Sequence, residues 1–186
     1  MIANEILIDE SIKLKKLTRS DAHVIFNAID SNRDHLRKWL PFVDGTKGVK
    51  DTQAFVDSIV EGDDFRQEIF TIWYKTEFCG LLGLKDIDYL NLKVELGYWM
   101  VEHMTGKGIV TRSVAKIMEL CFTNLDLNRI QIKCGIGNFK SSAIPKRLGY
   151  KLEGIERDGE RHSYGYIDLE IYSILKREWC YFNQTK

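Results

Sequence analysis

Val110, Val114, Ile117, Met118 and Cys121 fall at i, i+4, i+7, i+8 and i+11, which is one face of an α-helix. Arg112, Lys116 and Glu119 lie mostly off that stripe. The run ahead of it, Glu95–Val101, is rich in aromatic and β-branched residues and predicts a strand. Thr105–Val110, TGKGIV, joins the two.

The rest of the chain divides by the same patterns. Ile12, Leu14 and Leu17, with lysines between, predict a first strand. Thr18-Arg19-Ser20-Asp21 has the form of a capping box and predicts the start of a helix carrying Val24, Ile25, Phe26 and Ile29. Asn32–Trp39 predicts a second helix stopped by Pro41, Gly45–Gly48 a loop, and Val49–Phe65 a third helix. From Gln67 the pattern changes: Ile69–Tyr74, Phe78–Asp88 and Leu92–Val101 predict three strands, the first two joined at Thr76-Glu77. Arg129–Cys134 alternates as a strand. Asn138 is a good N-cap for a short helix to Leu148, with Gly149 at its C′ position. Pro145 lies inside that helix and cannot donate to the carbonyl of Ser141, so a kink or early break is expected. Tyr150–Glu156 and Tyr166–Leu175 predict the last strands, joined by a polar connection holding Asp158-Gly159 and Gly165. This order predicts one α/β (α+β) domain over residues 1–186, a mixed central sheet flanked by helices.

Strand, glycine turn and helix together suit an anion. The first turn of a helix leaves backbone N–H groups without partners, and the positive end of the dipole favours negative charge. Gly106 and Gly108 carry no Cβ to hold a phosphate off, and Lys107 adds a charge. Two phosphate motifs fail here. The P-loop spacing puts Glu102 and Gly108 where Gly and Ser or Thr are required. The dinucleotide fingerprint requires a third glycine where Thr111 stands. Gly135 and Gly137 also open that fingerprint, but it ends on Lys140.

Charge and cysteine use narrow the class. Lys+Arg and Asp+Glu balance at 27 each, so nothing in the overall charge points to nucleic acid or a membrane surface. No apolar run of about 18 residues predicts a membrane span, and MIANEILIDES does not resemble a secretory signal. Cys79, Cys121, Cys134 and Cys180 are widely spaced and read as reduced thiols of a cytoplasmic protein. His23, His35, His103 and His162 show no metal-ligand spacing, and no metal is expected; His103 reads as a loop residue.

The segments ELGYWM, GKGI, LNRI, GNxKS and LGY, taken together, resemble the GNAT superfamily of N-acetyltransferases, in its RimJ/RimL-type branch. The resemblance runs from about Ser11 to Trp179. The family signature Q/R-x-x-G-x-G/A falls on Thr105–Val110, where Gly108 matches and Thr105 and Val110 depart from it. Asn32–Pro41 resembles the family's N-R-x-x-L-x-x-W-L-P segment, on the acceptor side, and Trp39 there reads equally as a core residue. The resemblance implies the GNAT fold, acetyl-CoA as co-substrate and transfer to a primary amine, most of all the N-terminal α-amine of a ribosomal protein. It also implies a homodimer. Trp99, Met100 and Val101 with Gly106, Lys107, Gly108, Ile109, Val110 and Thr111 would grip the pantetheine and pyrophosphate. Asn138 and Ser141 would meet the pantetheine amide and the sulfur.

Acetyl transfer from a thioester needs a neutral amine, an in-line approach, an oxyanion donor and a proton for the thiolate. A chain-terminal amine of pKa ~8 costs only ~1.4 kcal/mol to deprotonate at pH 7, against ~4.6 kcal/mol for a lysine. A weak base therefore suffices for an α-amine. The resemblance makes Glu160 the first carboxylate and Glu95 the second, each weighed against a plain ion pair or solvated side chain. Ser141 is the expected acid, Ser142 a lesser neighbour, since Pro145 stands where many relatives carry a tyrosine. Backbone N–H near Met100 or Val101, at a bulge, would hold the oxyanion. Two rivals remain open: a polyamine or other small-amine acceptor, and a CoA-binding module without catalysis.

Overall fold

The computed structural model describes residues 2–62 and 66–184. Eight strands form one sheet: β1 (Glu5–Leu7), β2 (Ile12–Lys16), β3 (Glu68–Tyr74), β4 (Glu77–Asp88), β5 (Lys93–Met100), β6 (Arg129–Gly135), β7 (Lys151–His162) and β8 (Gly165–Leu175). Their spatial order is β1-β2-β3-β4-β5-β6-β8-β7. Neighbours run antiparallel except β5 and β6, whose parallel pairing requires a crossover. The crossover is helix α4 (Ile109–Thr123). The remaining helices are α1 (Ala22–Asp30), α2 (Arg33–Leu36), α3 (Val49–Val60), α5 (Phe139–Arg147) and α6 (Lys176–Gln184).

Alternation along the strands makes two cores, one on each face. Leu81 packs with Ile25, Ile29 and Val56 under α1 and α3, and its neighbour Leu82 packs with Val114 and Ile117 of α4. Ile69 and Phe70 divide in the same way. The stripe on α4 is the buried one: Val114, Ile117 and Cys121 are 0% exposed. Each fully buried Leu, Ile or Val contributes ~1.5–3 kcal/mol.

Several expected boundaries move. Thr18 N–H donates to Asp21 Oδ2 at 2.8 Å, so the capping box is present, but it opens a 3₁₀ turn ahead of α1. The second helix ends at Leu36, and Trp39 lies beyond it. The third ends at Val60; Phe65 is outside the described residues. β1 and α6 were not predicted. The expected polar connection after Glu156 is largely strand, because β7 runs on to His162 and meets β8 in a hairpin. A bulge between Glu156 and Glu160 lets that strand continue: Glu156 pairs with Leu169 and Glu160 with Ile167, so residues 157–159 oppose Asp168 alone. Asp158, at φ 52°, donates its N–H to Asp168 Oδ1 at 2.8 Å and holds the bulge.

Candidate active site

The parallel pair β5/β6 stays in register only from Lys93↔Arg129 to Leu96↔Ile132. Beyond Leu96 the two strands part. Residues 97–100 of β5 keep β4 on one side and, among the described residues, pair with no strand on the other. Into this gap opens a cavity of about 1490 Å³, lined from both faces of the sheet, by Ile25 and Leu81 on one and Ile109 and Ile144 on the other. Ordinary small-ligand pockets hold ~300–1,000 Å³, so there is room for two substrates meeting at the gap.

The glycine turn forms one mouth of the cavity. Gly106 (φ 79°) and Gly108 (φ 71°) are both left-handed, and Gly108 is the N-cap of α4. That conformation costs a residue with Cβ ~1–2 kcal/mol, which explains glycine at these positions. A methyl added at Gly106 would meet nothing within 4 Å, so the turn faces open space. Among the described residues, the N–H groups of 106–111 donate to no backbone carbonyl. Free donors, a helix N-terminus and missing Cβ atoms fit a diphosphate. Arg112 in the first turn lines the cavity and is ion-paired to Asp9, with a second nitrogen donating to Lys107 O at 3.3 Å. Lys140 and Arg147 of α5 add positive charge to the wall.

Across the gap sits Ser141. Asn138 caps α5, its Oδ1 accepting from Ser141 N–H at 3.2 Å. α5 continues through Pro145 to Arg147, so the expected early break does not occur. Pro145 supplies no N–H to the Ser141 carbonyl. The Tyr98 hydroxyl of β5 takes that place, donating to Ser141 O at 3.1 Å. Ser141 Oγ–H in turn donates to Tyr98 Oη at 3.4 Å, and Cys134 Sγ lies 3.4 Å from the same Oγ. Burial holds the Tyr98 phenol well above its usual range, so it stays a neutral donor. Burial also raises the Cys134 thiol, which keeps it protonated.

The two candidate carboxylates line the same cavity. The bulge in β7 brings Glu160 to the cavity wall, with Oε2 2.8 Å from Nε2 of the buried His162. Glu95 accepts from Gln131 Nε2 at 3.3 Å and faces Lys133 Nζ at 3.8 Å. Lys133 also pairs with Glu156 at 2.8 Å. Burial alone would lower the Lys133 ammonium, but the Glu156 hydrogen bond and the Glu95 charge outweigh it and raise the pKa.

Of the residues predicted for the site, Ser141, Glu160, Glu95, Trp99, Met100, Gly106, Gly108, Ile109, Val110, Thr111 and Asn138 line this one cavity. Val101 and Lys107 do not. Val101 is buried, and its N–H donates to Cys79 O at 2.8 Å, so that amide is not available to an oxyanion. Lys107 swings out, with Nζ 3.3 Å from Met104 Sδ and 5.9 Å from the centre of the Tyr74 ring. His103 is exposed and pairs with Glu77 at 2.5 Å. Sequence reasoning missed Tyr98, Cys134 and His35, which also line the cavity. Burial lowers His35, and the charges of Lys140 and Lys38 lower it further, against Glu102, so the imidazole is held neutral. For Tyr98 a signal existed: an orphaned carbonyl opposite a proline demands a donor. Among the described residues no cluster of three or more His, Cys, Asp or Glu could hold a metal ion, and no helix is long and apolar enough to cross a membrane.

A mixed sheet that opens between two parallel strands, beside a glycine turn and over a capped serine, makes a site with room for a diphosphate-bearing donor and a second substrate, and the family match makes the protein an acyltransferase. Residues 11–151 match the Acetyltransferase (GNAT) domain, and the chain belongs to that family of N-acetyltransferases, with acetyl-CoA as donor. It is 33% identical over 187 residues to YdaF of Bacillus subtilis (strain 168), named as a candidate ribosomal N-acetyltransferase, covering 92% of this chain and 95% of that one. The ribosomal-protein-serine acetyltransferase of Escherichia coli (strain K12) is 25% identical over 171 residues, covering 91% of this chain and 96% of that one. Among solved structures, the microcin C7 self-immunity acetyltransferase MccE, in complex with acetyl-CoA and AMP, superposes with a TM-score of 0.87 at 27% identity, covering 94% and 97% of the two chains.

Proposed function

We propose that this chain transfers the acetyl group of acetyl-CoA directly to the N-terminal α-amine of a ribosomal protein, in the cytoplasm and as a homodimer. The observation that carries the reading is the gap beyond Leu96, opening into a cavity that the Ser141 hydroxyl, Glu160 and Glu95 all line. The diphosphate rests on the N–H groups of residues 106–111 with Arg112, and the pantetheine lies along the free edge of residues 97–100. The amine nitrogen attacks the thioester carbonyl, and the C–S bond breaks. Ser141 Oγ–H gives its proton to the departing sulfur. The proton lost by the amine leaves through water ordered by Glu160 and restores the serine hydroxyl. Met100 N–H would hold the oxyanion.

The acceptor assignment draws on the relatives' names and on the weak carboxylate base, which matches an amine of pKa ~8. For the homodimer, β7 is an edge strand with Leu152 (53%) and Ile155 (56%) exposed, an edge open to pairing; light scattering tests it. Thiol release from acetyl-CoA with a panel of free-N-terminal peptides, spermidine and small amines tests the reaction. Peptides are expected to be turned over fastest, and spermidine turned over fastest would move the assignment to a polyamine enzyme. Tight acetyl-CoA binding without turnover of any amine would leave a CoA-binding module. Ser141→Ala is expected to lower kcat ~10²-fold with little change in acetyl-CoA affinity; an unchanged kcat removes Ser141 from the reaction.

A further inference from the structure

Of the four tryptophans, Trp73, Trp99 and Trp179 pack against the two hydrophobic cores. Trp39 belongs to neither core. It is half-buried and lines the cavity, where its indole lies on the backbone at the end of β6. A methyl at Gly135 would stand 3.3 Å from its Cε3, and one at Gly137 would stand 3.8 Å from its Cη2. Two side-chain-free positions thus let the ring approach the main chain closely. The segment is clipped to the β7–β8 hairpin on either side: Tyr164 Oη donates to Lys38 O at 3.1 Å, and Ser163 Oγ to Asp44 Oδ2 at 3.2 Å. Ile167 Cδ1 would come within 3.0 Å of the same Gly135 methyl. Ile167 is paired with Glu160, and directly paired residues of antiparallel strands share a face. Indole and carboxylate therefore flank Ile167 on one wall.

An indole face beside a carboxylate suits an organic cation. The ring quadrupole attracts an ammonium, tryptophan most strongly of the aromatic side chains, and its apolar surface takes the adjoining carbons. We infer that Trp39 is the wall against which the acceptor's protonated amine and its first carbon atoms rest, next to Glu160, before the proton is lost and the acetyl group arrives. Gly135 and Gly137 are the seat that sets its height. The inference rests on the reading of this cavity as an N-acetyltransferase site and names the subsite that recognises the amine.

Steady-state kinetics with the best acceptor from the peptide and amine panel, and calorimetry with acetyl-CoA, test it on the full chain. Trp39→Ala is expected to raise the acceptor KM about tenfold, with kcat changed less than about threefold and acetyl-CoA affinity unchanged. Trp39→Phe keeps an aromatic face and is expected to retain most of the affinity. Gly135→Ala pushes the ring from beneath without altering it and is expected to raise the acceptor KM as well. Tetramethylammonium, a cation without N–H, is expected to compete with the amine in the wild type and to lose potency in Trp39→Ala. An unchanged acceptor KM in Trp39→Ala overturns the subsite while leaving the reaction standing; a wild-type protein that acetylates no amine overturns both. Should Trp39→Ala fail to fold, Trp39→Phe, Gly135→Ala and the wild-type inhibition decide between these outcomes.

Discussion

Tyr98→Phe removes one oxygen from the site and separates structural from chemical roles. The hydroxyl donates to the Ser141 carbonyl, which Pro145 leaves without a helical partner, and accepts from Ser141 Oγ. Loss of the donor strands a part-buried carbonyl, at a cost of ~1–2 kcal/mol. For a chain of this length that lowers Tm by roughly 2–8 °C. The contact with Tyr98 Oη also fixes the Ser141 side-chain rotamer, its proton turning from Oη to the sulfur as the thiolate leaves; without that contact Oγ is free to rotate out of the gap. General acid catalysis supplies ~10²–10⁴-fold, so misdirecting the acid is expected to lower kcat ~10–100-fold with acetyl-CoA affinity nearly unchanged. Pro145→Ala then separates the effects, because it restores an N–H at position 145 that can bond the Ser141 carbonyl. The double variant Tyr98→Phe/Pro145→Ala is expected to regain stability but not kcat. Thermal melts and thiol-release kinetics on the three variants measure the cycle. A Tyr98→Phe enzyme with wild-type kcat, or a double variant no more stable than Tyr98→Phe, would refute the reasoning.

Other perturbations reach different parts of the site. Gly108→Ala places a Cβ on a residue at φ 71°; it is expected to destabilise by ~1–2 kcal/mol and to weaken acetyl-CoA binding several-fold, measured by melting and calorimetry. Glu160→Gln keeps the contact with His162 but removes the negative charge that orders the proton-carrying water, so kcat with a peptide is expected to fall ~10–100-fold while acetyl-CoA affinity holds; equal activity would leave Glu95 as the candidate. Glu153 tests the linkage to pH. The Arg129 hydrogen bonds, at 2.6 Å each, and a Ser173 bond at 2.6 Å lower its pKa from 4.5 to about 2. A depressed folded-state pKa stabilises above the unfolded value and loses that stabilisation as pH falls toward the folded one. Glu153→Gln is therefore expected to lower Tm at pH 7, modestly because the carboxylate is partly exposed, and the difference should close between about pH 4.5 and pH 2.

What the chain states locally, it states well. The α4 stripe, the strand before it, the paired glycines of the turn and the Asn138 cap all follow from periodicity and backbone preference within a few residues, and each stands where those rules put it. Pro145 even announces a carbonyl in need of a donor. It does not say that the donor comes from Tyr98, 43 residues before Ser141, because that depends on where β5 and β6 part. Tertiary structure alone decided three further things. The β7 bulge turned an expected loop into a strand and brought Glu160 to the cavity. Met104 and Tyr74 drew Lys107 out of the turn in which it had been expected to hold phosphate. Gly135 and Gly137, far along the chain, gave Trp39 a seat outside either core. Local rules act through neighbouring dihedrals and are written in consecutive residues; register, bulges and contacts across a sheet depend on which distant segments share a boundary, and only the folded chain sets that.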